Sequence, residues 1–581
     1  MEKEEERRGS AGEGRPAGEP LRRKERRDFR DLSFYQIWIR SFADGNGDGI
    51  GDLYGVYDKL EYIKSLGVDG IWFSPIYPSP NADYGYDISD YQNIHPDYGT
   101  LEEFRKVLDK AHSLGLLVLL DLVVNHTSDE HPWFIESCKG KDNPYSDYYI
   151  WRDGRRKKGK EAPPNNWFSQ FEGLAWEYNE QRGQYYLHVF AKKQPDLNMD
   201  NPKVREEVKK IMRFWLDMGV DGFREDVITY ISKKEDLPDG LSFLPAINGL
   251  PHYKDGPNLM KYLEEFREVT DEYGALQIGE APMTPMKTAR RYVSGERRVL
   301  DMVIQFDHMM ADCFLTEYVH HRFLLRKLKR AISRWEYGLA GKAWNAWYLE
   351  NHDHPRVISR YGSEKFWRES GTMLAAAYLF LQGCPFIYQG QELGMTNIRL
   401  SSIDDYLDVA SKNAYHSFHL WESVEKRLWR IHVSSRDSAR TPVQWSGEEH
   451  AGFTKGTPWF FVNPNYPQVN REAEEKDPAS ILNFYRRALK LRKTEPALLK
   501  GSFKEYDALS GRLFLYERSL GNERFLIACS FTEKEFSFRL PKAFRGREGL
   551  CALDNYPGEG KPVGERVKMR PYEAKVIAYR G

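Results

Sequence analysis

The chain has 581 residues, and its 85 basic and 86 acidic side chains give a formal charge of −1. This balance argues against a nucleic-acid-binding protein, which is expected to carry an excess or a stripe of Lys and Arg. Aromatic residues make up 14 % of the chain, a composition that excludes a wholly disordered protein. No apolar run approaches the roughly 18 residues needed to cross a bilayer, so we expect no membrane partner.

The termini and the cysteines give further expectations. The first 30 residues are almost all charged residues, Gly, Pro and Ala, and they lack the apolar core of a signal peptide. We predict a disordered charged tail over residues 1–30. The five cysteines are widely spaced and odd in number, which indicates free thiols in a reducing compartment and therefore a cytoplasmic protein.

Helix and strand patterns alternate from residue 34 onward. A strand is predicted over residues 34–42, and a helix that ends at Gly67 follows it. A capping box at Thr100–Glu103 begins the next helix, and Asn201 followed by Pro202 begins another. The further strand candidates are residues 68–73, 116–124, 220–224, 276–280, 300–306, 347–351 and 384–389.

Eight strands separated by helices predict an α/β fold, a parallel TIM (β/α)8 barrel. An open doubly wound sheet should carry a Gly-rich phosphate loop after its first strand, and the sequence has none. Residues 131–193 lack helical periodicity and predict an inserted irregular α+β domain, and residues 500–581 predict an all-β sandwich. The barrel then comprises residues 31–130 and 194–499, with a long insertion at about 395–470 after its last strand.

Polar side chains follow four of the predicted strands. In a TIM barrel, reactive groups gather at the carboxyl ends of the strands. Paired carboxylates with an arginine and imidazoles suit glycoside hydrolysis, where one carboxylate attacks the sugar or activates water and another delivers a proton. The residues at these ends are Asp121, Asn125, His126, Arg224, Asp226, Glu280, His352 and Asp353.

These residues lie in motifs that resemble a known family. DLVVNH (121–126), GFREDV (222–227), GEAP (279–282) and NHDHPR (351–356) resemble, in the same order, the four signature regions of glycoside hydrolase family 13. QPDLNMDNP (194–202) resembles the additional signature of its oligo-1,6-glucosidase and α-glucosidase subfamily. The resemblance runs from about residue 34 to the end of the chain. It implies a barrel, a domain B after the third strand and an all-β domain C.

The resemblance assigns roles to individual residues. Asp226 is expected to be the nucleophile, Glu280 the general acid/base, and Asp353 a group that binds sugar hydroxyls in the transition state. The expected substrate contacts are Asp83, Tyr86, His126, Phe190, Arg224, Val227, His352 and Arg440. Among them, Asp83 and Arg440 resemble a pair that closes the pocket beyond the terminal glucose, which implies an exo-acting enzyme with a small oligosaccharide as substrate.

The residue after the nucleophile bears on linkage. Within this subfamily, Val at that position is typical of enzymes that favour α-1,6 bonds, and Ala or Thr of those that favour α-1,4 bonds. Val227 therefore favours hydrolysis of isomalto-oligosaccharides, with an α-1,4-glucosidase, a sucrose isomerase and a trehalose-6-phosphate hydrolase as alternatives. Non-catalytic transporter heavy chains are disfavoured, because they carry a membrane anchor and have lost acids that this chain keeps.

A second motif suggests a metal. Residues 44–52 place oxygen-bearing side chains at alternate positions, as an EF-hand loop does, but the distal Glu is missing. Relatives hold a structural Ca²⁺ in this loop, so the resemblance implies the same here. The expected ligands are Asp44, Asn46, Asp48, the Ile50 carbonyl and Asp52.

The sequence also departs from the family at several positions. Glu225 replaces a usually apolar residue and is expected to point away from the pocket, because side chains alternate along a strand. Glu350 and His354 replace Asn and Gln, and we expect them near the leaving group. Met199 replaces Trp, and the run after Glu280 is Ala-Pro-Met in place of Met-Pro-Gly.

Overall fold

The computed structural model describes residues 28–157, 159–171, 173–241, 247–314, 316–417 and 422–580. Residues 1–27 of the predicted tail lie outside the described residues. Among the described residues, no helix has both the length and the apolar character to cross a bilayer.

Eight parallel strands close into a barrel, which confirms the predicted fold class. Around the barrel, β1 pairs with both β2 and β8, and each other strand pairs with its neighbours in the chain. The predicted strand over residues 347–351 is misplaced, because the ladder covers Asn345–Trp347. The strands are β1 (Phe34–Ile37), β2 (Gly70–Phe73), β3 (Leu117–Leu122), β4 (Gly222–Glu225), β5 (Leu276–Glu280), β6 (Met302–Ile304), β7 (Asn345–Trp347) and β8 (Gly383–Tyr388).

Helices surround the barrel, and their ends follow the capping signals in the sequence. Thr100 and Glu103 form the predicted capping box, and Asn201 caps its helix through a bond from the Lys203 N–H. That helix ends at Gly219, whose φ of 112° lies in the left-handed region that favours glycine. The main helices are α1 (Leu53–Ser65), α2 (Leu101–Ser113), α3 (Pro202–Met218), α4 (Leu259–Tyr273), α5 (Met286–Val293), α6 (Leu325–Leu339), α7 (Trp367–Leu379) and α8 (Ile481–Thr494). Shorter helices span Pro132–Ser137, Leu250–Tyr253, Val357–Tyr361, Val409–Ser417, Val424–Ser434, Asp437–Arg440, Arg471–Lys476 and Pro496–Lys500.

An irregular domain is inserted between β3 and α3. It contains the helix Pro132–Ser137, an antiparallel sheet of Trp151–Arg152, Gln184–Leu187 and Trp176–Asn179, and a hairpin of Arg155–Lys157 and Lys160–Ala162. Its core, built on Trp167, Trp176 and Leu187, also includes Val227 and Tyr230 from the segment after β4. The inserted domain therefore packs directly against the carboxyl end of the barrel.

The C-terminal domain is all-β. A six-stranded sheet contains, in spatial order, Ser502–Tyr506, Leu513–Leu520, Glu523–Ser530, Ala574–Tyr579, Gly549–Asp554 and Pro562–Val563. A two-stranded sheet of Phe536–Arg539 and Arg566–Met569 packs with it into one apolar core. A buried arginine attaches the domain to the barrel, because Arg518 donates to the Phe380 carbonyl.

Candidate active site

A cavity of about 670 Å³ opens at the carboxyl ends of the strands. Eight of the predicted site residues line it, namely Asp83, Tyr86, His126, Phe190, Asp226, Val227, Glu280 and Asp353. Arg224, His352 and Arg440 lie behind this lining and are at most 1 % exposed. The structure thus brings all predicted catalytic and substrate-binding residues into one region.

One arginine organises the carboxylates at the base of the cavity. Arg224 places Nη1 2.8 Å from Asp226 Oδ1 and 2.8 Å from Asp121 Oδ1, and Nη2 2.5 Å from Glu280 Oε1. Burial raises the pKa of Asp226 well above its usual range, and Glu280 and Asp121 raise it further while Arg224 opposes the shift. Burial likewise raises the pKa of Asp121 to about 6. Three carboxylates share one guanidinium, so the cluster favours keeping a proton.

Asp353 is held as a carboxylate. Although burial opposes ionisation, His352, Arg436 and Arg440 hold its pKa well below the usual range. His352 Nε2 lies 3.0 Å from Asp353 Oδ2, and its Nδ1 lies 2.8 Å from Gln36 Nε2. An amide N–H can only donate, so Nδ1 accepts and Nε2 carries the hydrogen towards Asp353. Burial lowers the pKa of His352 to about 4, which keeps the ring neutral.

The cation that contacts Asp83 is Arg436 and not the predicted Arg440. Arg436 Nη2 donates to Asp83 Oδ1 at 3.1 Å and Nη1 donates to Asp353 Oδ1 at 3.2 Å. Arg436 also binds Asp408, at 2.6 Å. Arg440 donates instead to Asp353 Oδ1 at 3.4 Å and to the His352 carbonyl at 3.2 Å. The arginine paired with Asp83 is therefore Arg436, and Arg440 pairs with Asp353 instead.

Aromatic rings form the walls of the cavity. The Tyr86 ring stacks on His352 with centroids 5.0 Å apart and planes 10° apart, and its hydroxyl donates to Asp121 Oδ2 at 3.0 Å. Phe190 stacks on Tyr230, a lining residue that the sequence did not indicate. The rest of the lining, which we call the outer lining, includes the apolar side chains of Ile247, Met283, Phe306 and Met310 and the carboxylate of Asp307.

Val227 lies in an unusual backbone conformation. Its φ of 35° is in the left-handed region, where a β-branched residue is strained. In this conformation its N–H donates to Glu280 Oε2 at 3.0 Å. Val227 is therefore not a strand residue, since β4 ends at Glu225. It contributes both a side chain to the cavity and a hydrogen bond to the expected acid/base.

The departures from the family fall outside the cavity, with one exception. Glu225 is fully buried, as expected for a side chain that points away from the pocket, and burial raises its pKa to about 8. Glu350 and His354 were expected near the leaving group, but they are buried and do not line the cavity. Glu350 instead pairs with Arg356 at 3.0 Å. The exception is Met283, which lines the cavity and has a φ of 52°.

The residues expected to bind Ca²⁺ form a loop that precedes α1. Asp44 accepts from the N–H groups of Asn46, Gly47 and Gly49 and from the Thr454 hydroxyl, so all its lone pairs are used. Asp52 accepts three backbone N–H bonds, including one that caps α1. Asp48 accepts two bonds and Asn46 Oδ1 one, which leaves capacity for a cation. The carboxylate and amide donors of the loop fit the chemistry of Ca²⁺, with Asp44 bracing the loop.

Comparisons with known proteins identify the family of the chain. The catalytic-domain model of the α-amylase family matches residues 36–501. The chain is 46 % identical to an oligo-1,6-glucosidase of Parageobacillus thermoglucosidasius over 559 residues, 95 % of this chain and 99 % of the relative. It is 41 % identical to the trehalose-6-phosphate hydrolase of Bacillus subtilis over 556 residues, 94 % of this chain and 97 % of the relative.

Solved structures show the same fold over nearly the whole chain. A trehalose-6-phosphate hydrolase from Bacillus licheniformis superposes with a TM-score of 0.90 at 40 % identity, over 95 % of this chain and 100 % of that chain. A trehalulose synthase superposes with a TM-score of 0.90 at 38 % identity, over 95 % of this chain and 99 % of that one. The matched family model, the full-length relatives and the carboxylates at the barrel mouth lead to one conclusion: the chain belongs to glycoside hydrolase family 13, the α-amylase family, and is a glycoside hydrolase.

Proposed function

We propose that the protein is a retaining, exo-acting α-glucosidase that hydrolyses terminal α-1,6-linked glucose from isomalto-oligosaccharides. The observation that carries the proposal is that Arg224 binds Asp226 and Glu280 through its two terminal nitrogens at the base of the cavity. A shared guanidinium keeps the two carboxyl groups close together. A retaining glycosidase needs such proximity, because the nucleophile must reach the anomeric carbon without a water between them.

The reaction proceeds in two displacements. In the first, Asp226 attacks the anomeric carbon while Glu280 gives its proton to the leaving oxygen, and a covalent β-glucosyl-enzyme forms. In the second, Glu280 takes a proton from water, and that water releases glucose with retained configuration. Arg224 holds the attacking carboxylate in place, because its Nη1 lies 2.8 Å from Asp226 Oδ1 and its charge favours the ionised form of that group.

The inner end of the cavity supports exo action. Arg436 joins Asp83 to Asp353, so the wall beyond the expected glucose position is made of two ion pairs, of which the one with Asp83 is buried. A chain that extended in that direction would have to break them. The pocket therefore accepts one terminal glucose, and the remaining sugar units extend towards the outer lining.

The side chains that line the cavity also bear on which of the alternative substrates the enzyme hydrolyses. A trehalose-6-phosphate hydrolase should offer a cation to the phosphate of its leaving group. Among the described residues that line the cavity, the one Lys or Arg is Arg436, which is held by three carboxylates. Val227 at the nucleophile and the oligo-1,6-glucosidases among the full-length relatives favour α-1,6 bonds. The α-1,4-glucosidase and the sucrose isomerase remain the alternatives.

Initial rates on isomaltose, panose, maltose, sucrose and trehalose 6-phosphate test the proposal. We expect the highest kcat/KM on isomaltose or panose, with glucose released as the α-anomer. An Asp226→Asn variant should lose several orders of magnitude in kcat without unfolding. Faster turnover of maltose or trehalose 6-phosphate would reassign the substrate, and release of β-glucose would refute the retaining mechanism.

We also propose that Ca²⁺ stabilises the loop of residues 44–52, through Asp48, Asn46, Asp52 and the Ile50 carbonyl. This proposal is supported by their oxygen donors and by the unused lone pairs of Asp48. Chelation should lower the melting temperature of the wild type but not that of an Asp48→Asn variant, which already binds the ion weakly. An equal response of the two proteins to chelation would contradict it.

A cytoplasmic location is proposed as well, and it is supported by five cysteines that are all buried free thiols.

A further inference from the structure

One carboxylate that lines the cavity has no part in the mechanism above. Asp307 lies in the outer lining together with its neighbours Phe306 and Met310. Among the described residues of the outer lining, it is the one acidic side chain. Its hydrogen bonds show which of its two oxygens the fold uses.

The protein engages only one oxygen of the Asp307 carboxylate. Oδ2 accepts the Trp335 Nε1–H at 2.9 Å and an N–H of Arg334 Nη1 at 3.1 Å. Both donors belong to α6, so Oδ2 joins this helix to the segment that follows β6. No hydrogen bond or ion pair from the described part of the chain reaches Oδ1, and the side chain is 27 % exposed. Since Oδ2 faces α6, Oδ1 is the acceptor that Asp307 offers to the cavity.

The barrel topology places Asp307 on the side of the leaving group. In the circular order of the strands, three strands separate β2 from β6 in either direction, so Asp83 after β2 and Asp307 after β6 lie on opposite sides of the barrel mouth. The register pairs Glu280 with Ile304, which places Asp307 three residues beyond the level of the expected acid/base. Asp83 belongs to the wall beyond the expected glucose position. The opposite side is therefore where the group that Glu280 protonates leaves.

Two serine hydroxyls of the outer lining are already engaged within the protein. Ser169 donates to the Phe190 carbonyl at 2.7 Å, and Ser417 donates to the Ala414 carbonyl at 3.1 Å. A second sugar unit brings several hydroxyl groups into this part of the cavity, and each that loses water needs a hydrogen-bond partner. An ionised carboxylate forms shorter and stronger hydrogen bonds to a hydroxyl than a neutral acceptor does. The open oxygen of Asp307 suits this task.

We propose that Asp307 is a specificity-determining residue whose Oδ1 accepts a hydroxyl hydrogen from the second sugar unit of the substrate. The proposal rests on the proposed function, because it takes the outer lining as the site of the leaving sugar. Asp307 thereby favours glucosides whose leaving group is a sugar over those whose leaving group is an aryl alcohol.

Initial rates on isomaltose and p-nitrophenyl α-glucoside test this, because the two substrates share the terminal glucose and differ in the leaving group. Asp307→Ala should lower kcat/KM for isomaltose about tenfold, the loss expected for one hydrogen bond to a charged group, and change the value for the aryl glucoside by less than about twofold. Asp307→Asn keeps an oxygen for the Trp335 N–H and presents an uncharged NH2 group to the cavity. It should lower kcat/KM for isomaltose by about threefold, since a neutral hydrogen bond is weaker.

A matched control separates the sugar contact from the anchoring of α6. Arg334→Met removes one of the two bonds at Oδ2 and keeps the carboxylate, so it should leave the ratio of the two kcat/KM values unchanged whatever its effect on the melting temperature. Equal losses on the two substrates in Asp307→Ala, or a change of the ratio in Arg334→Met as large as in Asp307→Ala, would overturn the proposal in favour of anchoring alone. If Asp307→Ala does not fold, the ratio in Asp307→Asn decides. Failure of the wild type to hydrolyse isomaltose, with or without turnover of the aryl glucoside, would instead overturn the proposed function.

Discussion

The ion pair between Asp83 and Arg436 gives the sharpest test of the site geometry. The resemblance to the family pointed to Arg440 as the partner of Asp83, whereas the structure places Arg436 there at 3.1 Å. The two arginines are four positions apart in one segment, and both contact Asp353 Oδ1. A single substitution of either arginine should therefore lower activity. Only the coupling energy between each arginine and Asp83 distinguishes the two residues.

A double-mutant cycle on kcat/KM for isomaltose measures that coupling. The variants are Asp83→Asn, Arg436→Gln, Arg440→Gln and the two doubles that contain Asp83→Asn. The side chains of Asp83 and Arg436 are 6 % and 10 % exposed, so water screens their interaction little. A hydrogen bond between charged groups contributes about 1.5–3 kcal/mol, and we expect a coupling of that size for Asp83 with Arg436.

The expected coupling between Asp83 and Arg440 is much smaller, about 0.5 kcal/mol or less, because no direct bond joins them. Arg436→Gln also leaves Asp408 and Asp83 without their cation, so the variant should be destabilised by about 3–5 kcal/mol. Activities must therefore be compared below its unfolding transition, with circular dichroism as the control for folding. A larger coupling for Arg440 than for Arg436 would refute the arrangement that we describe.

Three further predictions follow from the same region. Val227→Ala should raise the ratio of maltose to isomaltose turnover about tenfold, because it widens the space beside the nucleophile, and an unchanged ratio would refute the linkage argument. Met283→Gly should lower kcat/KM for p-nitrophenyl α-glucoside relative to isomaltose, because it removes an apolar side chain from the outer lining. Asp507→Gly is its control, since Asp507 has a similar φ of 53° in the C-terminal domain, and a loss in both variants would point to backbone effects alone. Burial raises the pKa of Glu225 to about 8 from 4.5, so the folded state binds its proton more tightly and stability should fall as pH rises between these values. Glu225→Gln should remove that decline and exceed the wild type in stability at pH 9; equal denaturation midpoints there would contradict the assignment.

The fold could be predicted because its signals are local. Capping boxes, helix-ending glycines and short apolar runs each act over a few residues. Eight repeats of a strand followed by a helix leave few architectures other than a barrel. The seventh strand shows the limit of this reasoning. The apolar run continues through Tyr348 and Leu349, which are buried, but β7 ends at Trp347. Its extent is set by the ladder to β8, where Trp347 pairs with Pro385, and no local pattern contains that register.

The positions of the expected catalytic residues could be predicted by motif, whereas their partners could not. Asp226 and Glu280 stand at strand ends whose positions follow from the barrel. Arg436, in contrast, reaches Asp83 across 353 positions of the chain. Which arginine reaches it depends on the short helix Asp437–Arg440, which turns one guanidinium towards Asp83 and the other towards the His352 carbonyl. The spacing of the two arginines in the sequence allows either arrangement.

At Val227, the type of side chain and the backbone conformation must be considered together. The resemblance to the family implies a role in linkage for its side chain, but no sequence signal indicates its left-handed backbone, because a β-branched residue seldom adopts that conformation. In this conformation its N–H donates to Glu280, so the residue after the expected nucleophile also holds the expected acid/base. Alanine would keep this hydrogen bond and relieve part of the strain. A change of linkage preference in Val227→Ala without a change in the pH profile of kcat would therefore assign the effect to the side chain, whereas a shifted pH profile would assign it to the backbone and Glu280.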